Sequence, residues 1–386
     1  MKIAFISNYY NHHQSSFSEN MYRQLNGEFF FISTERMKEE RIAMGWNNNS
    51  EPNFVIHYYE DPVACEKIID ECDAIIIGSA PYSLVKRRLL KGKLTFLYSE
   101  RVYKQKVSWL RRIKHKIYYF YSFGRFKNFY LLCSSAFSYA DFVKLLSFKD
   151  RGLKWGYFPK TYFYDDLENI FRKKDSQAVS ILFVGRMIPL KHPEFPILAA
   201  HRLKKEGIHF TLTMVGNGVL KKSIEELIRE KEMQNQIKLI DCLTPDQVRE
   251  QMINSSIHVF TSDRNEGWGA VLNESMNSCC AVLASCVIGS VPFLLENNKN
   301  GLIYKDGDFE DFYSKLEKLC LDASLRKELG TNAYKTITEE WCAEIASKRL
   351  VGVIDGMLKA KQSNDFKTGP CSKATIIKDD WFESDK

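Results

Sequence analysis

The chain of 386 residues lacks any apolar run near the ~20 residues that a membrane-spanning helix needs. Its first apolar segment, residues 1–7, is followed at once by Asn8, two tyrosines and further polar residues. That is the pattern of a first strand and not of an export signal. The sequence therefore argues against a helical membrane-spanning segment, and we expect a cytoplasmic protein.

Cysteine occurs ten times, but never in a spacing that binds zinc or marks a redox pair. Cys279 and Cys280 are adjacent, which favours neither a disulfide between them nor a metal clamp. We expect free thiols in a reducing compartment and no bound metal. An acidic pair at residues 306 and 308, with a glycine between them, is interpreted as turn chemistry.

Acidic residues are missing from residues 101–140, which contain nine lysines and arginines although the net charge of the chain is only +7. Within this region, residues 109–127 combine basic and aromatic side chains, as segments that bind anionic membrane surfaces do. We expect peripheral binding to the inner face of the cell membrane. Nucleic acid would accept the same charge, but no recognised motif accompanies it, so we expect none to bind. A helix with a solvated basic face is the other alternative.

Short apolar segments alternate with amphipathic segments along the chain. Buried-type strands that alternate with helices predict parallel sheets covered by helices on both faces. The predicted strands are 3–7, 74–78, 94–98, 129–133, 180–184, 210–215, 237–240, 257–261 and 281–284. The clearest predicted helices are 223–231, 245–254 and 339–359.

The alternation restarts after a charged segment at residues 172–177, so we place a domain boundary near residue 175. The predicted fold class is α/β, with two doubly wound, Rossmann-like domains at 1–175 and 176–340 that face each other across a cleft. Ligands bind such sheets at the carboxyl ends of the strands. A helix at 341–360 follows, and the tail, 361–386, is expected to be poorly ordered.

A site for a phosphorylated ligand is indicated between Phe260 and Glu274. An apolar strand ends at Phe260, a polar loop with two glycines follows, and a helix begins near residue 269 or 270. A helix start after a glycine turn presents unpaired backbone N–H groups to a phosphate. Glu266 and Glu274, eight residues apart, can accept hydrogen bonds from sugar hydroxyls. Taken alone, the pattern also fits a helix cap with an exposed Glu274.

Two further strands end in loops that contain glycine. Gly185 follows the first strand, and Arg186 and Lys191 come next, five residues apart. Such a pair can clamp a diphosphate, because arginine binds two oxygens at once and lysine adds a charge. A solvated basic loop is the alternative. The second loop, residues 216–218, has glycine at both ends and indicates a close approach of the backbone and little more.

Taken together and in this order, these residues resemble the second domain of glycosyltransferase family 4, whose members are retaining enzymes of the GT-B fold. Residues 185–191 match the family's strand–Gly–Arg–x4–Lys loop, and residues 266–274 match its E-x7-E signature. Residues 216–218 and 300–301 match its glycine turns. Trp341 and the helix after it resemble the terminal helix that crosses back to the first domain. The resemblance covers residues 180–360 and is weaker over 1–175.

The resemblance implies a role for each of these residues. Arg186 and Lys191 would neutralise the departing diphosphate of a nucleotide sugar, and Glu266 would hold the transferred sugar; these three are the expected catalytic set. Glu274 would bind the ribose. The other donor-binding residues implied are Gly185, Gly216, Gly267, Trp268 and Gly269. No cofactor and no metal is implied, since cationic side chains stabilise the leaving group.

The first domain departs from the family at two places. Many members have two glycines after the first strand and a histidine after a middle strand, and this chain has neither. The residues at these places, which we expect on the acceptor or sugar side, are His12, His13, Gln14, Ser15 and Glu100. A third departure lies in the second domain, where Phe293 replaces the usual acidic residue.

The predicted function is retaining transfer of a sugar from a nucleotide sugar to an acceptor hydroxyl. The expected acceptor is a glycan or a lipid-linked glycan of bacterial-type polysaccharide assembly. One alternative is another GT-B enzyme, either an inverting transferase or a sugar-nucleotide epimerase, which the Arg186, Lys191 and E-x7-E set disfavours. The other alternative is a non-catalytic nucleotide-sugar binder.

Overall fold

The computed structural model describes residues 1–39, 42, 51–104, 108–174, 178–360 and 366–383. These residues form two compact units. One comprises Met1–Lys160 together with the described residues between Glu340 and Glu383, and the other comprises Thr161–Glu339. The boundary predicted near residue 175 lies outside the described residues.

The segment after Lys160 packs on the second unit. The amide of Tyr162 donates to Asn277 Oδ1 at 2.8 Å, and the amide of Tyr164 donates to the Tyr334 hydroxyl at 2.8 Å. The second unit therefore begins before its first strand, because these hydrogen bonds attach the connecting segment to it.

A sheet of seven parallel strands forms the first unit, in the order β3-β2-β1-β4-β5-β6-β7. The strands are β1 Ile3–Ser7, β2 Phe29–Ser33, β3 Val55–His57, β4 Ala74–Ile77, β5 Thr95–Ser99, β6 Phe129–Cys133 and β7 Gly152–Lys154. The helices are α1 His12–Gln24, α2 Pro62–Glu71, α3 Ser83–Leu90, α4 Trp109–Tyr119 and α5 Ser138–Lys144. All residues of the central strands β1 and β4 are buried, as expected for a sheet covered on both faces.

The second unit repeats this arrangement with six strands, in the order β10-β9-β8-β11-β12-β13. The strands are β8 Val179–Val184, β9 Phe210–Val215, β10 Ile237–Ile240, β11 Ile257–Phe260, β12 Ala281–Ser285 and β13 Leu302–Tyr304. The helices are α6 Leu167–Lys174, α7 Glu194–Lys205, α8 Lys221–Glu230, α9 Pro245–Ile253, α10 Val271–Asn277, α11 Val291–Leu294, α12 Phe309–Leu321 and α13 Ala323–Glu339. A short 3₁₀ turn, Pro189–Lys191, follows β8. Residues 302–304 pair with β12 as an edge strand.

Strand order is the same in both units, and it reverses beside the first strand of each. In such sheets the loops at the carboxyl ends of the strands on either side of the reversal form the ligand-binding crevice. The loops after β8 and β11 occupy this position in the second unit, and they contain Lys191 and Glu266. The prediction of two doubly wound sheets is confirmed.

The last predicted helix is present, begins a few residues later than expected, and is preceded by a separate helix. Helix α13 ends at Glu339, and helix α14, Ala343–Leu358, begins after the buried Trp341. Helix α14 packs against α1, where Gln24 Nε2 donates to Ser347 Oγ at 2.7 Å. The predicted return of the chain to the first domain is confirmed.

The expectation of a poorly ordered tail is wrong for residues 366–383. Cys371, Ser372 and Ala374 are buried, and residues 371–374 hydrogen-bond to the outer edge of β7. Residues 361–365 and 384–386 of the tail lie outside the described residues. The residues that pack, 370–372 and 374, are small or apolar and form a short uncharged group within a tail of mixed charge.

All ten cysteines are free thiols. None of the described helices combines the length and the hydropathy needed to cross a bilayer.

Candidate functional site

Three loops at the carboxyl edge of the second sheet are joined by backbone hydrogen bonds. The amide of Met187, after β8, donates to the carbonyl of Asn217, after β9, at 2.9 Å. The amide of Asp263, after β11, donates to the carbonyl of Leu190 at 2.9 Å. The fold thus brings together the three sequence segments that predicted a donor site.

Gly216 permits the contact between the first two loops. Its φ is +142°, and a Cβ at this position would lie 2.0 Å from the carbonyl oxygen of Gly185. Only glycine allows two backbones to approach so closely. Gly216 is therefore required for the shape of the site, whereas a Cβ at Gly185 would meet the side chains of Lys191 and Phe183 only at 3.6 Å, an ordinary contact distance.

Lys191 and Glu266 form the ion pair at the centre of this site, between Lys191 Nζ and Glu266 Oε2. The hydroxyl of Ser262 also donates to Glu266 Oε2, at 2.9 Å, and Lys191 Nζ lies 5.2 Å from the centre of the Phe260 ring. The two charged side chains are 13% and 14% exposed, so they are shielded from bulk water but remain accessible to a ligand. Arg186, in contrast, is exposed to solvent.

Trp268 and Gly269 shape the loop from inside. The Trp268 ring is fully buried, and its Nε1 donates to Asn273 Oδ1 at 2.8 Å. Gly269 has φ +79°, and a Cβ there would lie 2.4 Å from the Phe260 ring. The Trp268 ring belongs to the core, so the predicted donor contact at residues 267–269, which stays a prediction, is left to the backbone amides.

Glu274 lies in the first turn of α10, which begins at Val271. Burial raises the pKa of Glu274 to about 7, partly offset by the positive charge of Arg249. A carboxylate is a better acceptor than a carboxylic acid for ligand hydroxyls. Glu274 is thus poised to change its acceptor strength near neutral pH.

His192 adds a titratable group beside Lys191. Its Nδ1 lies 2.8 Å from Glu194 Oε1 and its Nε2 3.8 Å from Asp263 Oδ2. The hydrogen bond to Glu194 raises the pKa of His192. Across the described residues, no three histidine, cysteine or acidic side chains converge in the manner of a metal site.

The first turn of α1, directly after the loop that follows β1, contains four of the predicted acceptor-side residues, which the sequence placed in a loop. Asn11 caps α1 and accepts from the amide of His13 at 3.0 Å. Burial lowers the pKa of His12 to about 4, so this imidazole is neutral at physiological pH. Gln14 Nε2 donates to Ser7 Oγ at 3.4 Å, and Ser15 Oγ donates to the carbonyl of His12 at 3.2 Å.

Glu100, directly after β5, is held by two side chains. The hydroxyl of Tyr157 donates to Glu100 Oε1 at 2.8 Å, and Lys104 Nζ donates to Glu100 Oε2 at 3.0 Å. The Tyr157 ring also stacks on His13, with ring centres 6.0 Å apart. Tyr157 therefore links the two predicted acceptor-side loops. Sequence reasoning missed it, because it lies in a segment interpreted as leading to a domain boundary; its position directly after a glycine was the available signal.

Comparison with known proteins locates the family match in the second unit. Residues 166–336 match the family described as "Glycosyl transferases group 1". The chain is 26% identical over 196 residues to the capsular polysaccharide biosynthesis glycosyltransferase CapM of Staphylococcus aureus, covering 51% of this chain and 51% of CapM. It is 29% identical over 194 residues to the N-acetylgalactosamine-N,N'-diacetylbacillosaminyl-diphospho-undecaprenol 4-alpha-N-acetylgalactosaminyltransferase of Campylobacter jejuni, covering 48% and 52%. The matched region spans about half the length of these curated relatives.

Solved structures resemble nearly the whole chain. HepE of Anabaena, solved in complex with UDP, superposes with a TM-score of 0.69 at 13% identity, covering 92% of this chain and 100% of HepE. WaaG, a glycosyltransferase involved in lipopolysaccharide biosynthesis, gives a TM-score of 0.63 at 16% identity, covering 92% and 100%. At these identities the likeness establishes the fold, which is GT-B. The similarity to the glycosyl transferases group 1 family thus lies in residues 166–336, within the second unit.

Proposed function

We propose that this protein is a retaining glycosyltransferase that moves a sugar from a nucleotide-diphosphate sugar to an acceptor hydroxyl. The observation that carries the proposal is the shielded Lys191–Glu266 pair, held where three backbone-linked loops meet at the carboxyl edge of the second sheet. A cation and a carboxylate in one small site suit a ligand with a charged diphosphate at one end and hydroxyls at the other.

In the proposed reaction the bond between the anomeric carbon and the diphosphate oxygen breaks, and the diphosphate leaves with the electron pair. Lys191 and Arg186 neutralise the charge that develops on it. The acceptor oxygen bonds to the anomeric carbon on the face that the diphosphate leaves, through an oxocarbenium-like state. The hydroxyl proton passes to a diphosphate oxygen. Glu266 binds hydroxyls of the transferred sugar and forms no covalent bond to it.

Glu274 is proposed to bind the ribose of the nucleotide. Its burial favours this role, because a carboxylate shielded from water makes stronger hydrogen bonds to ligand hydroxyls than an exposed one. UDP sugars are the first donors to test, since HepE, with the same fold, was solved with UDP.

The acceptor is proposed to bind near His13, Tyr157 and Glu100. Aromatic rings and a carboxylate suit the apolar faces and hydroxyls of a sugar. The relatives include enzymes of capsular polysaccharide biosynthesis and one that is named for a diphospho-undecaprenol acceptor. We therefore propose a lipid-linked glycan of polysaccharide biosynthesis as the acceptor, handled at the cytoplasmic side of the membrane.

Helix α4 is proposed to lie on the surface of an anionic membrane. None of its residues is buried, and Trp109, Ile113 and Ile117 are 68%, 47% and 56% exposed. These three side chains share the outward stripe of the helix by their spacing of four residues. On the opposite side, His115 stacks on Tyr103 and Tyr119 packs against Phe142.

Basic side chains flank the apolar stripe of α4 on both sides. By helical spacing, Arg112 and Lys116 lie on one flank and Lys114 on the other, while Arg111 lies on the side of His115, to whose Nε2 its Nε donates at 3.4 Å. This is the arrangement of helices that lie in the plane of a membrane, with apolar groups below and cations at the headgroups. A helix with a merely solvated basic face would not need a continuous apolar stripe turned toward water.

The donor proposal is tested with a panel of UDP-, GDP- and ADP-sugars, by hydrolysis and by thermal shift. One donor should be hydrolysed, and Glu266→Ala, Arg186→Ala or Lys191→Ala should each lower the rate by about 10²–10³-fold. Lys222→Ala, an exposed lysine on α8, is the matched control and should retain full activity. Full activity in all three site variants would overturn the assignment. The anomeric configuration of the product, read by NMR, separates retention from inversion.

The membrane proposal is tested by flotation with phosphatidylglycerol vesicles. Reversing the charges of Arg111, Arg112, Lys114 and Lys116 should abolish flotation, and Trp109→Ser with Ile117→Ser should weaken it at unchanged charge. The double variant Lys222→Glu and Arg229→Glu, on the exposed face of α8, is the control. Unchanged flotation after charge reversal would show that α4 is not the anchor.

A further inference from the structure

Residues 366–383, here called the strap, follow helix α14 and cross the outer edge of the first sheet. The sheet ends at β7, whose far side has no parallel neighbour in the strand order. The amide of Lys154 donates to the carbonyl of Ser372 at 2.7 Å, and the amides of Cys371 and Ala374 donate to Lys154 and Gly152 at 2.8 Å and 2.9 Å. Leu153 and Lys373 are antiparallel partners. The strap thus covers an edge that would otherwise expose unpaired backbone groups.

The fit between strap and edge strand is close. A Cβ at Gly152 would lie 2.4 Å from the Tyr139 ring and 3.3 Å from the Cβ of Ala374. At the start of the strap, Arg349 of α14 donates to the carbonyls of Thr368 and Pro370 at 2.6 Å and 3.2 Å. Residues 368–374 of the strap are therefore attached to the first unit at both ends, by Arg349 at the start and by β7 at the end.

Beyond this edge the strap reaches the loop that follows β5. Asp379 Oδ1 accepts from Arg101 Nη2 at 3.0 Å. The Arg101 side chain is 3% exposed and also lies 3.7 Å from Asp141 Oδ2 and over the Phe137 ring, at 5.0 Å. A guanidinium this deeply buried needs carboxylate partners, because desolvation of an unpaired charge is costly.

Arg101 follows Glu100 directly. Asp141, one of the two carboxylate partners of Arg101, also binds the backbone of the next two residues. Asp141 Oδ2 accepts from the amides of Val102 and Tyr103, at 3.1 Å each. The loop that carries Glu100 is thus held from inside by Asp141 and from outside by Asp379. Tyr157, which bonds Glu100, lies three residues after β7, the strand that the strap covers.

We propose that the strap positions the Glu100 loop, and that Asp379 is a positioning residue acting on Glu100 through Arg101. The strap contacts two elements near Glu100: strand β7, which leads to Tyr157, and Arg101, the residue next to Glu100 in the chain. That Glu100 contacts the acceptor rests on the proposed function; that the strap orders its loop does not.

The test is hydrogen exchange of the full-length protein, followed by mass spectrometry of peptides covering residues 100–104 and 152–156. Asp379→Asn should accelerate exchange in 100–104 about 3- to 10-fold, because one of two carboxylate partners of Arg101 is lost, and leave 152–156 unchanged. Asp379→Glu should restore slow exchange. The matched control is Asp380→Asn, an exposed neighbour.

Equal exchange of 100–104 in Asp379→Asn and Asp380→Asn would overturn the proposal. If the strap only covered the sheet edge, loss of the carboxylate at 379 would not change exchange in this peptide. Acceleration of both peptides to the same extent would also overturn it, because this reports general loosening. The thermal shift by UDP is measured in parallel and should be the same in all four proteins. If UDP shifts none of them, the donor assignment fails, but the exchange result still decides the role of the strap.

Discussion

In the second unit, backbone hydrogen bonds tie together the loops beyond β8, β9 and β11, whereas in the first unit side chains connect the segments beyond β1 and β5. The difference is visible in the residues involved. The closest backbone approach in the second unit requires glycine, at Gly216, while the contacts in the first unit use Tyr157, Glu100 and His13. Where two backbones approach closely, the sequence must have glycine at that position. Where side chains make the contact, several different residues could do so. The family match, residues 166–336, lies in the second unit.

The largest expected effect is a loss of stability on substitution of a glycine at the carboxyl edge of the second sheet, compared with a matched substitution at the carboxyl edge of the first sheet. Gly216→Ala places a Cβ against backbone at an unfavourable φ and should destabilise the second unit by about 3–5 kcal/mol. Gly78→Ala, at the edge of the first sheet, meets only side chains of Phe5 and Ser7 at 3.2 Å and should cost about 1 kcal/mol. Denaturant unfolding measures both. Equal losses would contradict the view that only the second edge depends on close backbones.

A second prediction concerns the pH dependence of nucleotide binding. Because the pKa of Glu274 is about 7, the carboxylate acceptor is lost as pH falls through that value. UDP should therefore bind about tenfold more weakly at pH 6 than at pH 8. Isothermal titration measures this, and Glu274→Gln should bind weakly at both pH values. Measuring the variant in the same buffers removes the contribution of the UDP phosphates. A pH dependence identical in both proteins would contradict the assignment of Glu274.

Glu274→Gln, which should weaken nucleotide binding at pH 8, should also raise the stability of the protein at that pH. The folded-state pKa of Glu274 lies above its ordinary value of 4.5, so the buried charge opposes folding. This cost is fully present above pH 7 and absent below pH ~4. Glu274→Gln should therefore stabilise the protein by about 1–3 kcal/mol at pH 8 and have little effect near pH 4. Thermal unfolding at the two pH values checks this, and a loss of stability at pH 8 would contradict it.

The smallest expected effect compares the hydroxyls that hold the two carboxylates. Tyr157→Phe removes the donor to Glu100, and Ser262→Ala removes a donor to Glu266. Each should cost about 1 kcal/mol of stability, the net contribution of one hydrogen bond. Only Ser262→Ala should also slow donor hydrolysis, by a few-fold, since Glu266 belongs to the donor site. Slower hydrolysis in Tyr157→Phe alone would reverse the assignment of the two sides.

Sequence predicted the second unit well because its signals are local. Each of its apolar runs ends at the glycine or polar loop that the fold places at the sheet edge, as at Phe260 and Gly185. The weaker predictions concern long-range contacts. Strands β3 and β7 have three residues each, too few for a periodic pattern, and they exist because neighbouring strands supply hydrogen bonds. The strap is the extreme case, since its partners lie more than 200 residues earlier in the chain.

The roles of single residues were likewise predictable from local signals and not from long-range contacts. The proximity of Lys191 to Glu266, 75 residues apart, was implied only by the family resemblance, and the fold brings the two together. Burial of the Trp268 ring was not predicted, because aromatic residues in glycine loops occur both as ligand contacts and as core anchors. The connection from His13 through Tyr157 to Glu100 joins three segments of the chain, and no spacing in the sequence signals it.

The return of α14 and the strap to the first unit has a consequence for synthesis on the ribosome. Domains usually fold in the order in which they are made. Here β7 obtains its outer partner only after residue 374 has been translated, and α1 obtains its packing partner only after residues 343–358. The second unit, contiguous from Thr161 to Glu339, is complete in sequence before the first one is. Until then the open edge of β7 and the uncovered face of α1 are surfaces for chaperones to protect, and residues 1–160 expressed alone lack both partners.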